Sequence, residues 1–248
     1  MLALIGGWLL IVLAGIAIGA TSIGGVIVVP ALTALLAMTL PTALAVSSLA
    51  FLATGLWALL HAKSNSLSTL LANAPLMMSA LVGAFMGAYG ADLVPIQWGR
   101  LWVGCLALAS GIYSLLQMKQ GDVNTAHHHW PSKVAQVGIG FFVGAGSSLS
   151  GTGGPVLLLP FLSLTQRPIE RSIATAQLIQ IPIALAASAA HLSANRINWE
   201  MSFLVAFFLL SGAVLGKKLS QRYAIRVLKI ITSVLLIITG VWFLFPAN

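Results

Sequence analysis

The sequence contains very few charged side chains. Only 6% of its 248 residues are Asp, Glu, Lys or Arg, whereas 59% are hydrophobic. Soluble domains carry about 25% charged residues, so this composition excludes a soluble globular protein and is typical of a polytopic membrane protein. The acids Asp92, Asp122, Glu170 and Glu200 fall at segment ends or in loops. A cation channel or a carboxylate proton relay is therefore not expected, because both need an acid inside the membrane.

Cysteine is equally scarce. Cys105 is the single cysteine, which excludes an intramolecular disulfide and a CxxC metal or redox pair. No GxxxxGK[ST] motif for ATP occurs in the sequence. We expect neither a cofactor nor a metal ion, and any energy that the protein uses has to come from an ion gradient or a partner.

Positive charge, in contrast, is in excess, with a formal net charge of +8. The Lys and Arg residues are scattered over loop tips rather than clustered on the surface of one folded domain, which argues against nucleic-acid binding. Such a distribution is typical of cytoplasmic loops that face anionic lipid. The N-terminal apolar stretch has no basic residue before it and is predicted to be the first membrane segment rather than a cleaved signal peptide.

The sequence repeats itself at a constant offset of 129 residues, which places Gly15 on Gly144 and Gly111 on Gly240. Each half holds five apolar segments. They cover about 2–20, 25–40, 43–61, 71–92 and 100–118 in the first half, and about 134–149, 154–165, 172–192, 201–219 and 226–245 in the second.

We therefore expect an all-α integral membrane protein with a first repeat at 1–118, an inter-repeat loop at 119–133 and a second repeat at 134–248. A full crossing takes about 20 residues, so the second segment of each half is predicted to be a short discontinuous or re-entrant helix.

Loop charges indicate that the two repeats are inverted with respect to each other. If all five segments of each half cross, the Lys and Arg residues collect on one face and only Arg100 and Arg196 lie on the other. The positive-inside rule favours this arrangement, whereas the asymmetry weakens if the short segments only dip into the membrane. We predict inverted five-plus-five repeats with both termini outside.

Glycine-rich stretches interrupt both halves. GAGSSLSGTGGP at 144–155 and its shorter counterpart GATSIGG at 19–25 each precede a short apolar run. Irregular backbone at membrane depth is tolerated only against protein or water, and inverted-repeat transporters place such breaks where half-helix ends meet the substrate. The free N–H groups of the helices predicted to begin at Gly25 and Gly154 attract an anion; close helix packing is the alternative. The residues predicted to bind substrate at the breaks are Thr21, Ser22, Gly24, Gly25, Ser150, Thr152, Gly153 and Gly154.

The third segment of each half adds neutral polar residues, namely Ser48, Thr175, Gln177 and Gln180. Ser48 and Gln177 are repeat equivalents, and Gln177 and Gln180 share a helix face. They are predicted to line the substrate pocket, with interhelical hydrogen bonding as the alternative.

Histidine closes the third segment in both halves, as His61 and His191. Because histidine titrates near physiological pH, both are predicted to be gating or proton-sensitive contacts. The alternative is a histidine that merely snorkels to the membrane interface.

The stretch GIGFFVGAGSSLSGTGGPVLLLPFL, followed by RPIERSIATAQLIQIPIALAASAAHLSANRINW, resembles the second half of the TauE/SafE sulfite exporter family, also called toluene-sulfonate uptake permeases. The family repeats a glycine-rich break, an Ala-Thr stretch and a histidine near the end of the next helix, which correspond here to residues 151–154, Ala174–Thr175 and His191. The first half matches through residues 22–25, Ser47–Ser48 and His61. The resemblance implies a transporter for small organosulfur compounds or sulfur oxyanions such as sulfite or a sulfonate.

We accordingly expect a permease in a bacterial-type cytoplasmic (inner) membrane. Its partners would be the lipid bilayer, a small anionic solute and a coupling ion, H⁺ or Na⁺, and it would be a monomer or a homodimer. Two alternatives stay open. One is an intramembrane serine hydrolase with Ser147, Ser148 or Ser150 as nucleophile and His191 as base, and the other is a membrane assembly protein that transports nothing.

Overall fold

The computed structural model describes residues 2–61, 71–117, 131–163, 169–222 and 225–244. Within these ranges the chain is helical and contains no β-strand. Most of the loop predicted at 119–133 lies outside the described residues.

The helices follow the two halves of the sequence. Those of the first half are α1 (Leu2–Thr21), α2 (Gly25–Leu35), α3 (Leu40–Leu60), α4 (Ala74–Gly90) and α5 (Ile96–Gln117). Those of the second half are α6 (Lys133–Ser150), α7 (Pro155–Ser163), α8 (Ile169–Leu178), α9 (Gln180–Ser193), α10 (Trp199–Arg222) and α11 (Ile225–Leu244). The starts of α3 and α8, and those of α5 and α11, are 129 residues apart, so the secondary structure keeps the spacing of the sequence repeat.

Local sequence explains where several helices begin and end. Ser132 caps α6, because its Oγ accepts a hydrogen bond from the Ala135 N–H at 3.3 Å. Gly151 ends α6 in the left-handed region with φ at 61°, a conformation that glycine adopts without strain. Pro155 opens α7 at the first helical position, where its missing N–H costs nothing.

Within the described ranges, four stretches are long and apolar enough to cross a membrane, namely Leu40–Leu60, Gln97–Leu116, Ser172–Ser193 and Trp199–Ser220. Shorter apolar helices include Gly25–Leu35 and Ala74–Gly90. Because an α-helix rises 1.5 Å per residue, the nine residues of α7 span only about 14 Å, roughly half of a hydrocarbon core. The short second segments expected from the sequence are therefore present in both halves.

The helix predicted at 172–192 is continuous from Ser172 to Ser193 but has one gap in its hydrogen-bond ladder, which the sequence analysis did not anticipate. The gap lies at Ile179, which keeps helical backbone angles (φ −66°, ψ −19°) and separates α8 from α9. Pro182 lies four residues after Leu178 and lacks the N–H that would bond the Leu178 carbonyl. The missing bond accounts for the interruption.

Helices from different halves pack through glycine. A Cβ on Gly212 would overlap the Val12 carbonyl, and one on Gly216 would overlap the Ile16 carbonyl, so α1 and α10 are in backbone contact and run parallel. The same contact joins α4 to α6 through Gly140 and Gly144. The paired glycines of α10 thus have the close-packing role that small-xxx-small spacing indicates.

Repeat-equivalent helices, in contrast, pack against each other in opposite directions. A Cβ on Gly104 of α5 would lie 3.0 Å from Leu244 of α11, whereas one on Gly111 would lie 2.9 Å from the Ser233 carbonyl. On α3 and α9, the hydroxyls of Ser48 and Ser188 are 3.0 Å apart, and Gly55 faces Gln180. Residue numbers rise on one helix as they fall on the other, so both pairs are antiparallel.

Candidate functional site

The two glycine-rich breaks contact each other inside the molecule. A Cβ on Gly25 would overlap the carbonyl oxygen of Thr152, and one on Gly151 would lie 2.4–2.9 Å from side chains of α2 and α3. The first break and its helix α2 are fully buried from Thr21 to Leu32. The irregular backbone is therefore enclosed by protein, as membrane depth requires.

Glycine is required at the second break by both conformation and space. Gly153 and Gly154 have φ of 78° and 109°, which side-chain-bearing residues rarely adopt. A Cβ on Gly153 would also lie 3.0 Å from the ring of Phe51. The aromatic ring of α3 thus packs directly on the backbone of the break.

A small cavity lies beside this break, between α3, α6 and α9. Its volume is about 10 Å³, the size needed for a single water molecule. The lining combines four polar side chains with apolar and glycine positions: Leu44, Ser48, Phe51, Ser147, Ser148, Gly151, Gly153, Ile183, Ala184, Ala187 and His191.

Three polar groups of the cavity are buried without a hydrogen-bond partner. They are Ser147 Oγ, Ser148 Oγ and His191 Nε2, and His191 is 0% exposed. An unsatisfied buried polar group costs about 1–3 kcal/mol, so their grouping in one cavity needs a functional explanation. Hydroxyls and an imidazole N–H can donate to an anion without adding a charge of their own.

Ser48 completes the polar lining. Its Oγ bonds the Ala45 carbonyl at 2.8 Å and lies 3.0 Å from Ser188 Oγ of α9. The hydroxyl pair bridges the repeat-equivalent helices α3 and α9 at the cavity wall. Of the residues predicted from the sequence, the structure brings Ser48, Gly153 and His191 together in this cavity.

The hydroxyls of Thr21 and Ser150 serve the breaks themselves. Thr21 Oγ1 bonds the Ala17 carbonyl at 2.8 Å and accepts from the Ile23 N–H at 3.2 Å. Ser150 Oγ, at the equivalent position, bonds the Gly146 carbonyl at 2.8 Å and Thr152 Oγ1 at 3.1 Å. These side chains stabilise the ends of α1 and α6 and do not line the cavity.

The other predicted residues are not part of the cavity lining. Ser22 has φ of 62° and a buried Oγ without a partner, and Gly24 packs closely on α1. Gln180 is 1% exposed and neither of its amide atoms has a partner. Thr175 is buried, whereas Gln177 is half-buried.

The two histidines occupy opposite ends of the α3–α9 pair and differ in environment. His61 is exposed, stacks on Trp57 with ring centroids 4.9 Å apart, and its carbonyl accepts from Lys217 Nζ at 3.2 Å. His191 is buried in the cavity wall. Only His191 is therefore positioned to contact a solute in the cavity of this conformation.

Sequence reasoning missed Phe51 and Ser188 and considered Ser147 and Ser148 only as nucleophiles. One signal was available: Gly144, Ser147, Ser148 and Gly151 share a helix face, because they follow the i, i+3, i+4, i+7 spacing. The same spacing applies to the two missed residues, because Phe51 lies three residues after Ser48 and Ser188 lies three residues before His191.

The arrangement does not resemble a hydrolase site. Ser147 and Ser148 form no hydrogen bond with the unpartnered His191 Nε2, and Ser150 is committed to its own helix. Nucleophilic catalysis needs a base within hydrogen-bond reach of the nucleophile. Among the described residues, no group of three or more His, Cys, Asp or Glu side chains could hold a metal ion.

A family model for the sulfite exporters TauE/SafE matches residues 7–243. The chain belongs to the TauE/SafE sulfite exporter family. TauE/SafE is a family of membrane transporters for sulfur compounds, so the glycine breaks and polar cavity are parts of a multi-pass transport protein. No curated protein and no solved structure matches the chain.

Proposed function

We propose that this TauE/SafE protein is a secondary transporter that carries a small sulfur oxyanion or organosulfur anion, such as sulfite or a sulfonate, between α3 and α9. We place it in a bacterial-type cytoplasmic membrane, as a monomer or homodimer. The observation that carries the proposal is the group of unpartnered donors, Ser147, Ser148 and His191, buried next to two helix breaks.

The chemistry of the cavity suits an anion that must also leave. Its polar lining consists of hydroxyls and an imidazole, with no carboxylate to repel the solute and no lysine or arginine to retain it. Transport requires binding that is favourable but reversible. We assign Ser48, Ser147, Ser148 and His191 to direct solute contact, with Gly153 allowing close approach of the backbone.

The remaining residues of the predicted substrate set belong to the frame that holds the site. Those of the breaks are Thr21, Ser22, Gly24, Gly25, Ser150, Thr152 and Gly154, and those of α8 and α9 are Thr175, Gln177 and Gln180. Ser22 and Gln180 have buried polar atoms without partners. We propose that these two join the solute path when α3 and α9 move apart.

The small cavity volume supports a closed conformation, because about 10 Å³ holds one water but not a sulfur oxyanion. Inverted repeats provide a route to opening. The antiparallel packing of α5 on α11 and of α3 on α9 supports a two-fold relation between the halves that reverses their orientation in the membrane. Rocking of one repeat against the other would then expose the cavity to each side in turn.

The energy for transport is proposed to come from a gradient of H⁺ or Na⁺. His191 is the titratable side chain of the cavity lining, and an imidazole nitrogen can accept and release a proton. His61, at the opposite end of α3, is proposed to act at the mouth rather than in the cavity.

Melting of the detergent-purified protein against a solute panel tests the proposal. The panel holds sulfite, thiosulfate, sulfoacetate, aromatic sulfonates, sulfate, chloride, carboxylates and divalent cations. A ligand that binds only the folded state adds about 2.7 kcal/mol of stability at one hundred times its Kd. We expect a selective upward shift with one sulfur oxyanion or sulfonate, which Ser48→Ala and Ser147→Ala abolish.

Ser114→Ala is the matched control, because Ser114 is a buried serine of α5 outside the cavity lining. It should keep the solute-dependent shift of the wild type. A wild-type protein that responds to divalent cations but to no anion would overturn the anion site. A shift that survives both cavity variants would move the binding site elsewhere.

A further inference from the structure

The cavity has a cationic neighbour that the proposed function does not use. Arg196 follows α9 by three residues, and its Nη1 lies 3.5 Å from Nδ1 of His191 and 3.5 Å from the Ala88 carbonyl of α4. His191 itself lines the cavity. The Arg196 guanidinium therefore lies next to the imidazole that lines the cavity.

His191 connects the guanidinium to the cavity through the two nitrogens of one ring. Nδ1 is the atom near Arg196, whereas Nε2 is buried without a partner. The two nitrogens of a histidine are distinct sites for a proton or a hydrogen bond. An anion bound at the guanidinium would thus be one side chain away from the unpartnered serines.

Two contacts of Arg196, both made by Nη1, are long enough to be exchanged. Each measures 3.5 Å, which is the outer limit for an N–H donor. Arginine carries five donors in a planar fork that matches two oxygens on one centre, and charge-assisted bonds to an oxyanion are shorter and stronger. An oxyanion could therefore compete with the imidazole and carbonyl contacts of Nη1.

We propose that Arg196 is an entrance site for oxyanions, which binds a solute through two oxygens and passes it by way of His191 to Ser147 and Ser148. The inference rests on the proposed transport function and adds a specificity-determining residue to it. It also distinguishes substrates by chemistry, because a guanidinium fork favours an anion with two or more oxygens on one centre over a halide.

A purely structural role of Arg196 makes a different prediction. The Ala88 carbonyl is in the last turn of α4, where a cation stabilises the helix end. A cap of this kind affects melting without solute but leaves the solute affinity of the folded protein unchanged. The two roles therefore separate in binding measurements.

The test compares sulfite binding by the full-length wild type, Arg196→Gln, Arg196→Lys and Arg100→Gln in detergent. Arg100→Gln is the matched control, because Arg100 is exposed on α5, away from the cavity lining. Loss of one charge-assisted interaction corresponds to about a tenfold rise in Kd, which we expect for Arg196→Gln. Arg196→Lys should show a smaller rise, and Arg100→Gln none.

Two further readouts exclude a merely structural effect. In proteoliposomes Arg196→Gln should raise KM for sulfite and leave kcat near the wild-type value, because entry and not the later steps is weakened. The difference in Kd between wild type and Arg196→Gln should shrink as salt rises, because added ions screen the charge of the half-buried Arg196.

The outcomes separate this inference from the function on which it rests. If the wild type and Arg100→Gln bind sulfite and Arg196→Gln binds it equally well, the entrance site is wrong and the transporter proposal stands. If Arg196→Gln and Arg100→Gln weaken sulfite binding equally, the entrance site is also wrong, because the effect then comes from the net charge of the protein. If the wild type binds no sulfur oxyanion at all, both fall together.

Discussion

At the scale of single residues, the contact between the two breaks depends on a missing side chain. Gly25 lies against the Thr152 carbonyl, and a Cβ there would also be 3.1 Å from Phe51. Gly25→Ala should therefore lower stability by about 1–3 kcal/mol, the usual cost of overpacking, and remove the solute-dependent shift. Thermal melting with and without the stabilising solute measures both effects.

Gly138→Ala is the control for Gly25→Ala. A Cβ on Gly138 meets nothing within 4 Å, and alanine in a helix interior is favoured over glycine by about 0.5–1 kcal/mol. This variant should melt at or slightly above the wild-type temperature. Wild-type stability in Gly25→Ala would show that the breaks do not need their close approach.

At the scale of helices, Lys217 ties the end of α3 to α10. Its Nζ bonds the His61 carbonyl at 3.2 Å and lies 5.1 Å above the Trp57 ring. Lys217→Met should lower the free energy of unfolding by about 0.5–1 kcal/mol, the range of an exposed cation–π contact. Denaturant or thermal unfolding of the purified protein provides the value.

Lys218→Met removes the same charge from the adjacent, exposed position and should leave the stability unchanged within error. The repeat equivalent of Lys217 is Ala88, at an offset of 129 residues, and its carbonyl contacts Arg196. Lys217 thus joins the end of α3 to α10, and Arg196 joins the end of α9 to α4. Equal effects of the two lysine variants would show that net charge, not this contact, stabilises the helix end.

At the scale of the whole molecule, the proposed inverted arrangement predicts which residues face each side of the membrane. Lys218 lies beyond the His61 end of α3, whereas Ser193 is at the opposite end of the α3–α9 pair. In a Cys105→Ser background, Ser193→Cys should react with a membrane-impermeant maleimide in intact cells. Lys218→Cys should react only in inside-out vesicles, because positive charge collects on the cytoplasmic face.

Reaction of both cysteines from the same side would contradict the five-plus-five topology. Cys105→Ser without a new cysteine is the background control, since Cys105 is exposed on the surface of α5. Permeabilised cells should label both variants, which establishes that each cysteine is reactive.

Much of the helical frame could be predicted because its causes are local. Gly151 and Pro155 mark the end of one helix and the start of the next, and both signals lie in the sequence itself. The repeat offset of 129 residues likewise aligned the start of α3 with that of α8 and the start of α5 with that of α11. Pro182 could have indicated the interruption at Ile179, but a proline within a long apolar run is an ambiguous signal in membrane helices.

The composition of the site could be predicted only in part, because it depends on distant contacts. Glycine density located the breaks, and His191 was recognised by its position in the third segment. Helical spacing puts Phe51 on the face of Ser48 and Ser188 on the face of His191, but the approach of these two faces depends on the packing of α3 against α9, with Ser48 and Ser188 separated by 140 residues. Gln177 shares a helix face with Gln180 but is half-buried, and neither lines the cavity. Helical spacing alone therefore does not identify the residues of the cavity wall.

The antiparallel contact between α5 and α11 bears on the ancestry of the chain. Gly104 and Gly111 of α5 face the C-terminal end and the middle of α11, its own copy in the second half. In a half-length ancestor, the same surface would have met itself on a second, identical polypeptide. Two such polypeptides could pair in this way only if they entered the membrane in opposite orientations. Gene fusion would then have preserved as one chain what began as a dual-topology dimer.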